Sequence, residues 1–201
     1  MTHSKKQMNA GYTIDQTILI IAIIAILITI IIATVGWDLL QRAGGAKVAS
    51  HLRQVEGSIG EFYSRHQLWP HEALGLAVGV TTAAGISNQA RILNDGTLGT
   101  DPSFVAADHK VALSSYGATG ANTGLQHGLG AGGAGNMFLR TVTTCGGIAG
   151  DTYEINLTAM TQDEVERADA SIDGDVDGTA GRLRYTGSAN AVDVRFCANR
   201  F

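Results

Sequence analysis

Thr17 to Val35 reads TILIIAIIAILITIIIATV, nineteen consecutive positions without a charge. At about 1.5 Å per residue, a helix of this length crosses the ~30 Å hydrocarbon core of a bilayer. In lipid every backbone N–H and C=O must pair inside the segment, so helix is expected despite the many β-branched Ile residues. No polar stripe breaks the run, which argues against a buried core helix. A cleaved secretory signal would have a shorter apolar region of about 7–15 residues ending at a small-residue site. Here the run continues into a second helical pattern instead. Lys5 and Lys6 precede the span and favour an N-terminus left in the cytoplasm. The chain beyond about residue 37 is then expected outside it.

Working outward, Val48, Leu52, Val55, Ile59, Phe62 and His66 recur at steps of three and four, with Arg53, Gln54, Glu56 and Glu61 on the other face. Leu68 and Trp69 lead to Pro70, which ends the pattern. The spacing predicts one helix of some fifty residues, apolar in its first half and amphipathic in its second. Gly36, Gly57 and Gly60 weaken it, and Gly44–Gly45 is the expected place for a bend.

The whole chain has 201 residues, enough for one domain and an appendage. Its 45% hydrophobic content excludes a continuously disordered chain, and the apolar run excludes a simple cytosolic enzyme. With 14 basic and 18 acidic residues the net charge is −4, no footing for a nucleic-acid partner. Setting aside Lys5 and Lys6 leaves 12 basic against 18 acidic, or −6, over residues 12–201.

Beyond the helix, Ala73 to Val80 is apolar without clear alternation, and Ile86 to Leu93 suits a short helix entered near Ser87. Eight of the nineteen residues from Gly117 to Gly135 are Gly, a loop or flexible hairpin composition. The Gly-rich run at 128–133 lacks the preceding strand, the Lys-Ser/Thr pair and the following helix that a phosphate-cradling loop needs. Met137–Thr143 and Asp151–Asn156 read as strands. Thr161-x-x-Glu164 predicts a capping box opening a helix through about Ile172. Arg182–Tyr185 and Ala191–Cys197 form an expected antiparallel pair around Gly187-Ser188. The fold class is α+β, with an antiparallel sheet packed on the amphipathic half of the long helix.

Three sets of residues are candidates for chemistry. Cys145 and Cys197 lie in the part placed outside the cytoplasm, where such a pair is best read as one disulfide; two independent buried thiols are the alternative. Asp173-Gly-Asp175-Val-Asp177-Gly178 matches the first half of a calcium loop, but Arg184 stands where an EF-hand has its bidentate Glu. A shorter calcium loop and a plain Asx-type turn are the two readings. The six His (3, 51, 66, 71, 109, 127) contain no H-E-x-x-H pair, and no G-x-S-x-G is present. His66 and His71 are expected at the surface or at a hinge. No catalytic constellation emerges, so an enzyme is not expected.

The sequence from Lys5-Lys6-Gln-Met-Asn-Ala-Gly11 into Tyr12-Thr-Ile-Asp15-Gln16 resembles the class III leader and N-terminal helix of type IV pilins and pseudopilins. The ending Leu68-Trp69-Pro70 is similar to that of the family's helix, and 169–184 is similar to a stretch before the last strands of many members. The likeness is strong over residues 1–70 and loose beyond. It implies a long helix packed on a small antiparallel sheet, with a C-terminal disulfide region at Cys145 and Cys197. It also implies that a prepilin peptidase removes the leader 1–11 after Gly11 and that Tyr12 is then N-methylated. The family has Glu at the fifth mature position. Cutting after Gly11 puts Gln16 there and Asp15 fourth, while cutting after Ala10 puts Asp15 fifth. The mature length leans to the type IVb class.

The resemblance divides the chain into the leader 1–11, a transmembrane or filament-core half 12–36, an amphipathic half 37–70 and a head 71–201. The expected partners are copies of the same chain in a helical filament, the prepilin peptidase and the inner-membrane assembly machinery. Asp15 and Gln16 are the expected assembly residues. The precursor belongs in the inner membrane, the product in an extracellular pilus or periplasmic pseudopilus. The alternative is a singly anchored periplasmic or surface binding protein that never polymerises.

Overall fold

Continuous helical hydrogen bonding carries the apolar run directly into the amphipathic stripe: helix α1 spans Ile14–His66, 53 residues. The computed structural model describes residues 14–109, 113, 117–118, 122–130, 133 and 135–200. The leader, Gly11 and Tyr12 lie outside the described residues. The chain divides into two units, Met1–Leu40 and Gln41–Phe201.

In the first unit, Ile14–Gly36 is long and apolar enough to cross a membrane, with a mean hydropathy of 3.4 over its most apolar window and none of that window buried. Two of its hydroxyls bond back to the helix's own carbonyls. Thr29 Oγ1 donates to the Ala25 carbonyl at 2.8 Å, and Thr34 Oγ1 to that of Ile30 at 3.1 Å. Hydroxyls bonded back in this way leave fewer donors facing an apolar surrounding.

The second unit is built on a six-stranded antiparallel sheet of order β1-β2-β3-β4-β6-β5. Its strands are β1 (Gly117–Ala118), β2 (Leu125–Gln126), β3 (Asn136–Cys145), β4 (Ile148–Met160), β5 (Leu183–Thr186) and β6 (Val192–Arg200). Alternation sends Met137 and Leu139, Ile155 and Leu157, Leu183, and Val194 and Phe196 to one face. Val48, Leu52, Val55, Ile59 and Phe62 of α1 join them in a single buried cluster. Each such side chain contributes about 1.5–3 kcal/mol by leaving water. The chain is therefore α+β, as the pattern predicts.

Helix α2 (Pro70–Ala73), α3 (Ala83–Arg91) and α4 (Gln162–Ile172) complete the unit. Several expectations are corrected in detail. Helix α1 stops at His66, where Gln67 turns left-handed at φ 53°; Pro70 does not end α1 but opens α2, its fixed φ suiting the first helical position. Ala73–Val80 holds the end of α2 and turns in which Gly75 and Gly79 have positive φ. Helix α3 starts at Ala83, not near Ser87, because Thr82 Oγ1 caps it by accepting from the Gly85 N–H at 3.2 Å. Ser87 lies buried inside that helix, accepting from the Gly124 N–H at 2.8 Å.

The capping box at Thr161 is replaced by another bond. Its hydroxyl donates to Glu164 Oε2 at 2.6 Å and makes no side-chain bond to the backbone. Gly44–Gly45 does not interrupt α1. A Cβ on Gly45 would stand 2.5 Å from Arg167 Cβ, and one on Gly44 2.7 Å from Glu164 Cγ. The pair is there because α4 approaches the α1 backbone closely, which only a residue without a side chain permits.

Candidate functional site

Asp15 and Gln16 stand in the first turn of α1, both exposed. Consecutive helical residues point about 100° apart, so the two present different faces. A carboxylate in the first turn suits the positive end of the helix dipole.

At the other end of the sequence, Cys145 and Cys197 are disulfide-bonded, 52 residues apart with their Cα atoms 5.8 Å apart. The bond joins the end of β3 to β6, the two strands that flank β4. Both residues are nearly buried. Beside them, Glu154 of β4 is only 2% exposed although it points to the sheet face opposite the core. Its Oε1 accepts from Arg140 Nε at 2.9 Å and lies 2.6 Å from Nη2. Its Oε2 faces Arg184 Nη2 at 3.5 Å. That same nitrogen lies 3.6 Å from Cys145 Sγ and 3.9 Å from Cys197 Sγ. The disulfide is therefore walled by a carboxylate held between two guanidinium groups. Arginines and a Glu on alternating strand positions look like an ordinary solvated face in sequence, and no spacing there marks the cluster.

The Asp-rich loop after α4 is occupied by its own backbone. Asp173 Oδ2 accepts from the Leu183 N–H at 2.8 Å, and Asp169 Oδ2 from the Asp177 N–H at 3.0 Å. Asp177 Oδ1 accepts from the Thr179 N–H at 3.0 Å and its hydroxyl at 2.7 Å, which holds the Asp177 carboxyl below its ordinary range. Asp175 is exposed. Burial, with the charges of Asp173 and Asp175 adding to it, pushes the Asp169 carboxyl up to about 6. Among the described residues no group of three or more His, Cys, Asp or Glu side chains is arranged to hold a metal ion. The geometry of Asp177 is that of an Asx turn.

Histidine placement departs from the surface or hinge expectation. His71 is buried, with Nδ1 2.6 Å from the Tyr153 hydroxyl, and that phenol is pushed up by burial. His66 is half-buried, its ring 4.7 Å from Phe62, 4.7 Å from Phe104 and 5.7 Å from His109. His51 of α1 and His127 are both buried, with ring centroids 6.2 Å apart. All five have lowered pKa values, with burial the largest cause. For His51 the value falls to about 4, the positive charges of His127 and Lys47 adding to burial. Helical spacing marked His66 as part of the buried stripe; nothing in the sequence marked His127.

No protein-family model, no curated protein and no solved structure matches this chain.

Proposed function

We propose that the chain is a structural subunit of a type IV pilus or related pseudopilus, anchored through Ile14–Gly36 before assembly. The observation that carries this reading is the makeup of α1. One unbroken helix joins an exposed apolar half to an amphipathic half whose apolar face is buried in an α+β unit. An exposed apolar surface of this length needs a covering. Lipid supplies it before assembly, and packing against the same segment of neighbouring copies supplies it afterwards. The disulfide supports an oxidising location for the second unit. Gly11 and Tyr12 flank the processing site, and Asp15 or Gln16 sets register between subunits. A prepilin peptidase and an inner-membrane assembly machine are the partners in this reading.

The test is the mass of the N-terminal peptide of the chain recovered from its native cells. A start at Tyr12 carrying one methyl group supports the proposal. An intact Met1 terminus on all the protein overturns it and leaves the singly anchored binding protein.

A further inference from the structure

Residues 95–109 form a loop that closes on itself. A turn of 3-10 helix stands near each end, Gly96–Leu98 and Ala106–Asp108. The ends meet, since a Cβ on Gly96 would stand 2.6 Å from His109 Cβ, the form of a compact surface loop. Midway, the Thr100 and Asp101 N–H groups both donate to the Ala73 carbonyl at the end of α2, at 2.8 and 3.1 Å. Two rings of the loop meet α1. Phe104 lies 5.9 Å from Phe62 and 4.7 Å from His66, and His109 lies 6.0 Å and 5.7 Å from the same two rings, centroid to centroid. Phe62 beneath them is 3% exposed.

Two of these four rings can take up a proton, and the contact is built for neither to do so. His66 Nε2 and both ring nitrogens of His109 are buried without a hydrogen-bond partner among the described residues. An imidazolium has two N–H donors to satisfy, and a buried donor left unpaired is costly. The surrounding charges divide. Asp108 favours a charge on His66, and Arg65 of α1, paired with Glu61, opposes it. Asp95 and the Asn94 backbone favour a charge on His109, while His66 and Arg65 oppose it. Asp95 already accepts from the Thr97 N–H and hydroxyl and has Arg91 near it. Asp108 is exposed. One proton in the cluster therefore has a counter-charge; a second stands 5.7 Å from the first, well inside the ~8 Å screening length of physiological salt. Burial, the largest cause, lowers the pKa of both rings in the closed loop, so closure is complete above pH ~6.5 and weakens as pH falls.

We infer that His66 and His109 form an acid-operated latch, whose double protonation releases residues 95–109 from the end of α1 and uncovers Phe62 while the sheet stays folded. The inference stands whether or not the chain polymerises.

The test is amide hydrogen exchange of the full chain in non-ionic detergent at pH 7.5 and 5.0, with rates corrected for the intrinsic effect of pH. The Thr100 and Asp101 amides report on the loop and those of β4 on the sheet. Loop protection should fall at least about tenfold at pH 5.0 with β4 still protected. In His109→Phe, which keeps a ring without the titrating nitrogens, the fall should shrink to about threefold or less. His66→Phe should do the same and serves if His109→Phe melts below the parent at pH 7.5. His51→Gln should leave the fall in place. Without any variant, the His66 and His109 ring-proton shifts should titrate over the pH range in which loop protection is lost. Unchanged loop protection, loss of β4 protection together with it, ring titration outside that range, or a full-sized fall in the folded Phe variant overturns the latch.

Discussion

Gly45 of α1 lies against Arg167 of α4 so closely that a Cβ on Gly45 would stand 2.5 Å from Arg167 Cβ and 3.2 Å from the Ala168 amide nitrogen. In an exposed helix Gly costs about 1 kcal/mol relative to Ala. Here the close approach outweighs that cost. Gly57 and Gly60 of the same helix have nothing within 4 Å of a built Cβ.

The three glycines should therefore respond with opposite signs. Gly57→Ala and Gly60→Ala are expected to stabilise by about 0.5–1 kcal/mol each. Gly45→Ala should destabilise by about 1–3 kcal/mol through overpacking. Thermal melting of the three variants checks this, and a stabilised Gly45→Ala would show that α4 yields.

Loss of the disulfide should be felt across the second unit. Closing a loop of 52 residues is worth about 4 kcal/mol in the chain-entropy account. Cys197→Ser is expected to lower stability by about that amount under non-reducing conditions, and denaturant unfolding measures it.

Acid should weaken the second unit. His51, His66, His71, His109 and His127 bind protons more readily in the unfolded chain, whose His pKa is about 6.5, than in the fold. The unfolded state therefore holds more protons just below that value, so stability is complete above pH ~6.5 and falls as pH drops toward 4. Neighbouring carboxylates moderate the effect at His66 (Asp108), His71 (Glu72, Asp151) and His109 (Asp95). His51 alone, titrating near 4, contributes on the order of 3 kcal/mol. Asp169, raised to about 6, works the other way between pH ~4 and 6 but is one group against five. Melting from pH 7.5 to 4.5 should show the decline, and His51→Gln should make it shallower.

The sequence was most legible where periodicity was strong and burial simple. Thr17–Val35 and the stripe from Val48 to Phe62 gave one helix with its correct buried face, and Cys145–Cys197 gave the staple. Details departed from the pattern where a group took a partner other than the one its local motif implies. Glu164 took the Thr161 hydroxyl that a capping box would have used, and α4 needed the bare backbone at Gly44–Gly45 that looked like a bend. Glu154 was illegible because its burial depends on Arg140 and Arg184 from two other strands meeting over the disulfide.

Under the proposed function, Asp15 is the preferred register residue. A carboxylate carried into an apolar helix array costs about 2.5–3.5 kcal/mol at the lower end of insertion scales, so it persists there when paired. Asp15→Ala is expected to leave leader removal intact and to reduce incorporation into filaments severely, in cells lacking the native copy. Normal filament yield from Asp15→Ala, with Gln16→Ala defective, would move the role to Gln16.

The central claim is polymerisation, and the most direct measurement is the composition of filaments sheared or extracted from cells that make this chain. Electron microscopy of the sedimented material, with mass spectrometry of its subunits, should find filaments built of the chain starting at Tyr12. Their cores should be packed from Ile14–Gly36. Recovery of the chain solely from the membrane fraction, at full length and absent from any filament, would contradict the account.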